Sequence, residues 1–305
     1  MATQKDVKTR IASVKNIHKI TRAMEMVAAA RLRRAEQRID NLRPYAQAIR
    51  KMARRVAEAA EGLPRVPVLE ERDPVKRAGI LLVTGDRGLA GAFNTNIVRA
   101  GIRLRAELAA GRAEVSFYVV GRRGASTMRF RGQQVESSYV GFTDRPGFAN
   151  AREIGRELTS SYVDEQLDRV ELVYNRYVSP LTQYVRRQTL LPLQQAEVFG
   201  VGVPEPDKEL DPELAEAHAR AQWEYEPEPE ELLPQLFEEY VDLSVFRALL
   251  ESTASEHGAR MTAMRNAAEN AEDMIDDLTL EMNRVRQAEI TQEILEVVAG
   301  AEALG

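Results

Sequence analysis

The chain is 305 residues long, enough for two ordinary domains or for one domain with an extended element. Its 29% charged and 6% aromatic residues at a net charge of −5 fit a helix-rich soluble protein with a coiled-coil share. With no cysteine, disulfides, thiolate metal sites and cysteine nucleophiles are excluded, and no apolar run approaches the ~20 residues that cross a bilayer.

The first sixty residues predict one long helix. Apolar side chains recur every three or four positions at Val7, Ile11, Val14, Ile17, Ile20, Met24, Val27, Ala28, Leu32, Ala35, Ile39 and Leu42, with no glycine or proline before Pro44. Basic residues flank this stripe, among them Arg31, Arg33, Arg34, Arg38, Arg50, Lys51, Arg54 and Arg55. Three readings suit them: a solvated helix face, a nucleic-acid surface, or a surface for an acidic partner. Aromatic residues are absent up to Tyr45, which disfavours single-strand binding. The polar start MATQKDVKTR lacks the apolar core of a secretory signal, so an intracellular location is expected.

Gly62, Pro64, Pro67 and Pro74 break the pattern, and a middle domain is expected over residues 76–195. Ala78 to Thr84 is a continuous apolar run suited to a strand covered on both faces. The glycine-rich turn Gly85 to Gly91 follows, then a helical stretch from about Asn94 to Ala110. A strand at Val115 to Val120, a loop and helix at Gly121 to Arg131, a weaker strand at Val135 to Val140 and a helix near Ala149 to Glu165 come next. Strands at Arg169 to Val178 and Tyr184 to Leu193 complete the set, joined at Ser179-Pro180 as an antiparallel hairpin. Strands alternating with helices imply an open α/β domain with a mostly parallel sheet.

Residues 204–231 are acidic and interrupted by prolines, and Leu232 to Tyr240 resumes helical character. From about Leu249 a second long helix is expected, with a stripe at Met261, Met264, Ala268, Ala271, Ile275, Leu278, Met282, Val285, Leu295 and Val298. Between Gly258 and Gly300 nothing breaks it, so it reaches on the order of 60 Å. Charge favours pairing of the two ends: residues 1–60 carry 15 Lys/Arg against 5 Asp/Glu, and residues 200–305 carry 7 against 26. The expected architecture is a long antiparallel coiled coil of the terminal helices, 1–60 with 204–305, closed by the globular domain.

Little of this suggests catalysis. The turn Gly85 to Gly91 is placed to offer amides to a phosphate, yet GxGxxG is absent and no Lys-Ser/Thr pair closes a P-loop. The other reading is a tight turn in which Asp86 and Arg87 hold the loop or touch a neighbouring chain. His18, His218 and His257 are far apart and read as packing or surface residues. Asp276 and Asp277 are adjacent on a helix and point apart, which suits a solvated face better than a metal. No nucleophile, base and oxyanion site assemble, so neither catalytic residues nor a cofactor or metal are expected.

The stretch Arg10-Ile11-Ala12-Ser13-Val14-Lys15-Asn16, continued by Lys19 to Ala29, resembles the N-terminal signature of the γ subunits of F-type ATP synthases. So do Ala254 to Met261, Ile275 to Leu278 and Asn283 to Ile294 at the other end, and Asp86 to Gly91 with Phe93-Asn94 in the middle. The resemblance spans the chain and implies a central-stalk rotor without chemistry of its own, with a coiled-coil shaft and a Rossmann-like α/β domain. Catalytic nucleotides would lie on a surrounding ring of α and β subunits. By motif position it implies that Met24, Arg286, Gln287 and Thr291 meet that ring, Met24 on the N-terminal side of the same contact as the other three. Tyr225 and Glu226 would meet the ε subunit or the membrane c-ring. It further implies a peripheral position on the cytoplasmic face of a bacterial plasma membrane, with no membrane insertion and no nucleic acid. The absence of cysteine excludes the thiol control of plastid members.

Overall fold

A computed structural model describes residues 3–59, 66–194 and 228–302. Strands β1 (Arg77–Val83), β2 (Glu114–Val120) and β3 (Val135–Tyr139) alternate with helices α2 (Phe93–Ala110) and α3 (Arg122–Phe130), all after the N-terminal helix α1 (Gln4–Ala59). Helix α4 (Phe148–Val163) leads into the hairpin β4 (Arg169–Ser179) and β5 (Thr182–Leu191). The sheet order is β3-β2-β1-β4-β5, parallel except for β5 against β4. Parallel neighbours need a crossover, and α2, α3 and α4 supply it.

Both faces of the sheet are covered, which is why β1 is apolar and buried from Ala78 onward. Ile97, Val98 and Leu104 of α2 with Ala125 and Met128 of α3 pack on Ile80, Leu82, Phe117 and Val119. On the other face Ile154 and Leu158 of α4 meet Leu81, Val83, Tyr118 and Leu172, together with Phe237, Val241 and Val245 of the C-terminal helix.

That last helix, α5 (Pro229–Glu302), runs unbroken for 74 residues, ~110 Å at the usual rise. It begins some twenty residues before the expected start, absorbing the separate segment read at Leu232 to Tyr240. Pro234 lies in its second turn, where few backbone bonds precede it to be broken. Gly258 sits in its buried middle, where a Cβ would come within 2.9 Å of the Gln183 amide and 3.1 Å of the Pro180 carbonyl.

Helices α1 and α5 pair antiparallel. The Gln4 amide donates to Glu289 (3.3 Å) near one end of the coil, and Arg265 Nε donates to Glu25 (2.9 Å) further down. Below that, Leu32 and Ala35 pack on Ala254 and Met261. Residues turned inward on α1 are Val7, Ile11, Val14, His18, Thr21, Glu25, Ala28, Leu32, Ala35, Ile39 and Leu42, with spacings that alternate between four and three. A strict 3.5-residue repeat imposes a left-handed supercoil. On α5 the same repeat runs through Met261, Met264, Ala268, Ala271, Ile275, Leu278, Met282 and Val285, the stripe expected from sequence.

Two parts of the expected stripes differ. Ile17, Ile20 and Val27 are exposed, and at their level the seam of α1 is filled by His18, Thr21 and Glu25. The physical reason is the partner: α5 presents the small Ala268 and Ala271 there, both buried, so short or polar side chains fit between the helices. Leu295 and Val298 are exposed because α5 continues beyond the start of α1.

Candidate functional site

Strand order reverses between β1 and β4, the point where open α/β sheets leave a crevice for ligands. Here α5 crosses that edge and fills it. Ser252 donates to the Val83 carbonyl (3.3 Å), Thr253 to that of Thr143 (2.9 Å) and Ser255 to that of Asn175 (3.1 Å). Glu256 lies so close to Gly85 that a Cβ there would meet its Oε2 at 2.6 Å, which is why the turn needs glycine.

The turn itself spends its polar groups on its own chain. The Gly85 amide donates to Asn94 Oδ1 (2.8 Å) and the Asp86 amide to Thr143 Oγ1 (2.9 Å). The Asp86 carboxylate accepts the amides of Arg122 (3.0 Å), Gly141 (2.8 Å) and Thr143 (3.2 Å). Burial pushes that carboxyl upward, but these amides outweigh it and hold it below the usual range. The tight-turn reading therefore fits the geometry: the first two amides of the turn and the Asp86 carboxylate are bound within the chain.

Beside the turn, Arg260 donates to Glu256 Oε1 (2.5 Å) and to the Gly88 carbonyl (3.2 Å). Burial raises the Glu256 carboxyl, and the guanidinium opposes that shift. Arg260 also lies 3.3 Å from His257 Nδ1, so that nitrogen is the acceptor and the ring is neutral. Burial, then the Arg260 charge, pushes His257 down to about 4. From the α1 side Arg31 pairs with Asp144 (2.9 Å), Arg38 donates to the Pro146 carbonyl, and Tyr177 donates to Glu36 (2.5 Å). Part of the basic face of α1 thus serves an acidic group of its own chain. These contacts form a collar that joins both shaft helices to the domain. The sequence reading missed Glu256 and Arg260; their i, i+4 spacing beside a helix glycine was the available signal.

Above the collar the shaft offers side chains that neither helix buries. Ile17, Ile20 and Val27 are 49%, 59% and 53% exposed, and with the half-buried Met24 they form a second stripe beside the seam. Arg265 and Arg22 both bind Glu25, at 2.9 and 2.8 Å, which fixes the turn that carries Met24. Arg286, Gln287 and Thr291 are exposed near the far end, where the Thr291 hydroxyl donates to the Gln287 carbonyl (2.8 Å). Met24 is level with Arg265, so about 30 Å of shaft separates it from Arg286. The structure groups the three C-terminal residues and sets Met24 apart. Tyr225, Glu226 and His218 lie outside the described residues. Past Glu289, no other described element accompanies α5, and Ile290, Ile294, Leu295, Val297 and Val298 are exposed.

The family model described as ATP synthase matches residues 3–304. An ATP synthase gamma chain from Rubrobacter xylanophilus is 42% identical over 304 residues, covering 100% of this chain and 99% of that one. The chain belongs to the γ subunit family of F-type ATP synthases. A second γ chain, from Moorella thermoacetica, is 42% identical over the full length of both. Among solved structures, a chain from the central stalk and c-ring of the Tetrahymena thermophila mitochondrial ATP synthase aligns with a TM-score of 0.58 at 28% identity, over 81% of this chain and 99% of that one. A chain of the Euglena gracilis mitochondrial enzyme shares the fold with a TM-score of 0.68 at 20% identity, over 99% of this chain and 94% of that one. As a γ subunit the chain is a non-catalytic part of the central stalk, in keeping with a crevice filled by its own helix. No described helix is long and apolar enough to cross a membrane.

Proposed function

We propose that this γ subunit is the rotor that couples ion-driven rotation of a membrane c-ring to ATP synthesis or hydrolysis on a surrounding α/β ring. The observation that carries this reading is the unpaired apolar end of α5, from Ile290 to Val298, on a shaft whose inner seam is already filled. Side chains of that kind need a partner's apolar lining. The second stripe around Met24 supports a contact lower down, and the exposed Arg286, Gln287 and Thr291 suit hydrogen bonds to carboxylates of a β subunit. Tyr225 and Glu226 belong to the contact with the c-ring and the ε subunit. The division of labour is a shaft, formed where α1 pairs with α5 beyond the collar, and a domain built around the sheet on the cytoplasmic face of the membrane.

Because the shaft is asymmetric about its axis, each orientation favours a different conformation of the ring subunits, a shift driven by differential contacts. The test is to assemble the chain with purified α and β subunits and follow a probe on the domain during ATP hydrolysis. Stepwise unidirectional rotation is expected. Arg286→Ala with Gln287→Ala lowers coupled turnover while the isolated chain melts as before; unchanged assembly and turnover would remove the role of these two residues.

A further inference from the structure

The sheet face opposite the shaft carries a feature that rotation does not use. Residues 93–133, which hold α2 and α3, contain eight arginines, no lysine and two acidic residues, in a chain of net charge −5. Arg99, Arg103, Arg105, Arg112, Arg122, Arg123, Arg129 and Arg131 are all exposed, and none forms an ion pair among the described residues. Of the two acids, Glu107 is bound by Arg187 of β5 at 2.6 Å, so it does not neutralise them. At the last residue of α3, Phe130 is 92% exposed between Arg129 and Arg131.

The place of this cluster follows from the topology. Helix α3 starts beyond the end of β2 and returns to the start of β3, so Phe130 and Arg131 lie towards the edge where the parallel strands begin. Arg112 belongs to the neighbouring turn, directly before β2, with φ of 68°. At that same edge Leu167, Val170 and Leu191 pack in one cluster with Ala53 and Val56 near the end of α1 and Leu233 and Phe237 near the start of α5. The opposite edge carries the collar, from which the coil extends. The cluster therefore sits at the end of the molecule away from the shaft tip.

We infer that Arg112, Arg129, Phe130 and Arg131 form a peripheral contact with anionic phospholipid headgroups. The inference rests on the proposed orientation, with the domain at the membrane end of the stalk. Guanidinium groups match phosphate oxygens with paired hydrogen bonds, and a single aromatic ring among cations seats at the boundary of headgroup and acyl chain without spanning it. An anionic leaflet also complements the unneutralised charge. A fluid surface of this kind presents no fixed angular site, so such a contact is compatible with a turning domain.

The chain has no cysteine, so single labels can be placed cleanly. An environment-sensitive fluorophore on Gln134→Cys reports the Phe130 corner, and one on Thr95→Cys reports the far end of α2. With vesicles containing phosphatidylglycerol, a blue shift is expected at position 134 and not at 95, reversed by salt and absent with pure phosphatidylcholine. Arg129→Ala and Arg131→Ala each weaken the response about fivefold, and Phe130→Ala reduces the shift itself. Vesicle binding through basic α1 would leave position 134 silent, and that result overturns the inference. So would a shift insensitive to these variants, or a response to polyglutamate without one to vesicles, which would mark a face for an acidic protein. Ring rotation is read separately: a silent corner in a chain that still rotates removes the lipid contact and leaves the rotor reading standing.

Discussion

The coil above the domain and the collar at its base hold the same two helices by opposite means. In the coil the seam repeats with a period of 3.5 and is mostly apolar, relieved by His18, Thr21 and Glu25. In the collar α5 is buried for two turns and its polar side chains are bound at named distances to strands β1 and β4 and to two loops. Apolar packing is non-directional, so a repeating seam resists separation more than it dictates position. Buried hydrogen bonds and charges penalise any displacement that leaves them unpaired. The collar is thus the part that fixes the shaft to the domain, and the coil is the part that can yield.

The largest expected effect tests the collar. Arg260→Ala leaves Glu256 buried without its cation and should cost about 3–5 kcal/mol in chemical denaturation; a loss below about 0.5 kcal/mol would show that the collar is not held by this pair. His257 gives the collar an acid limit. Its folded value near 4 lies below the 6.5 of a free histidine, so the stability it contributes is complete above pH 6.5 and is lost as pH falls towards 4. That loss amounts to about 3 kcal/mol, and His257→Gln should flatten the wild-type slope in this window.

In the coil the effects are smaller. Leu32→Ala, at the junction with the collar, should cost about 2 kcal/mol, at the low end for a buried leucine. Glu25→Gln should cost about 1 kcal/mol, because Arg265 is 46% exposed and solvent screens the pair. The hydrogen bond from Arg265 holds the Glu25 carboxyl below its ordinary 4.5. The difference from wild type is therefore present above pH 4.5 and disappears as pH falls through the lowered value. Smallest is Ile20→Ser, which should leave the melting of the free chain within about 0.5 kcal/mol yet weaken assembly with the α/β ring. Equal losses in both measurements would place Ile20 in the seam after all.

The same contrast explains what could be read from sequence. The sheet was legible strand by strand, since runs such as Ile80 to Val83 need cover on both faces and the intervening stretches are helical. The seam of α5 was legible from Met261 to Val285, where the apolar residues that recur at the heptad spacing are inward residues. On α1 the two sets part company: Ile17, Ile20 and Val27 continue the apolar period one position off the seam, and periodicity of residue type cannot separate adjacent stripes. The collar was not legible, because Glu256 meets Gly85 and Thr253 meets Thr143 across more than a hundred residues of chain. The site residues came from family resemblance, and only the geometry shows Met24 standing about 30 Å along the shaft from Arg286.

Helix α5 outruns its partner. From Ile290 to Glu302 it runs on for about 20 Å with no described partner, so among the described residues the rod is two helices thick at its base and one at its point. A spindle tapered in this way is stiffest where the domain grips it and most pliant at the tip. A sideways or twisting load applied at the point would bend one helix, whereas the same load applied beside the coil is shared by two. On the proposed rotor reading, work would pass most faithfully through the lower shaft, where two helices share the load.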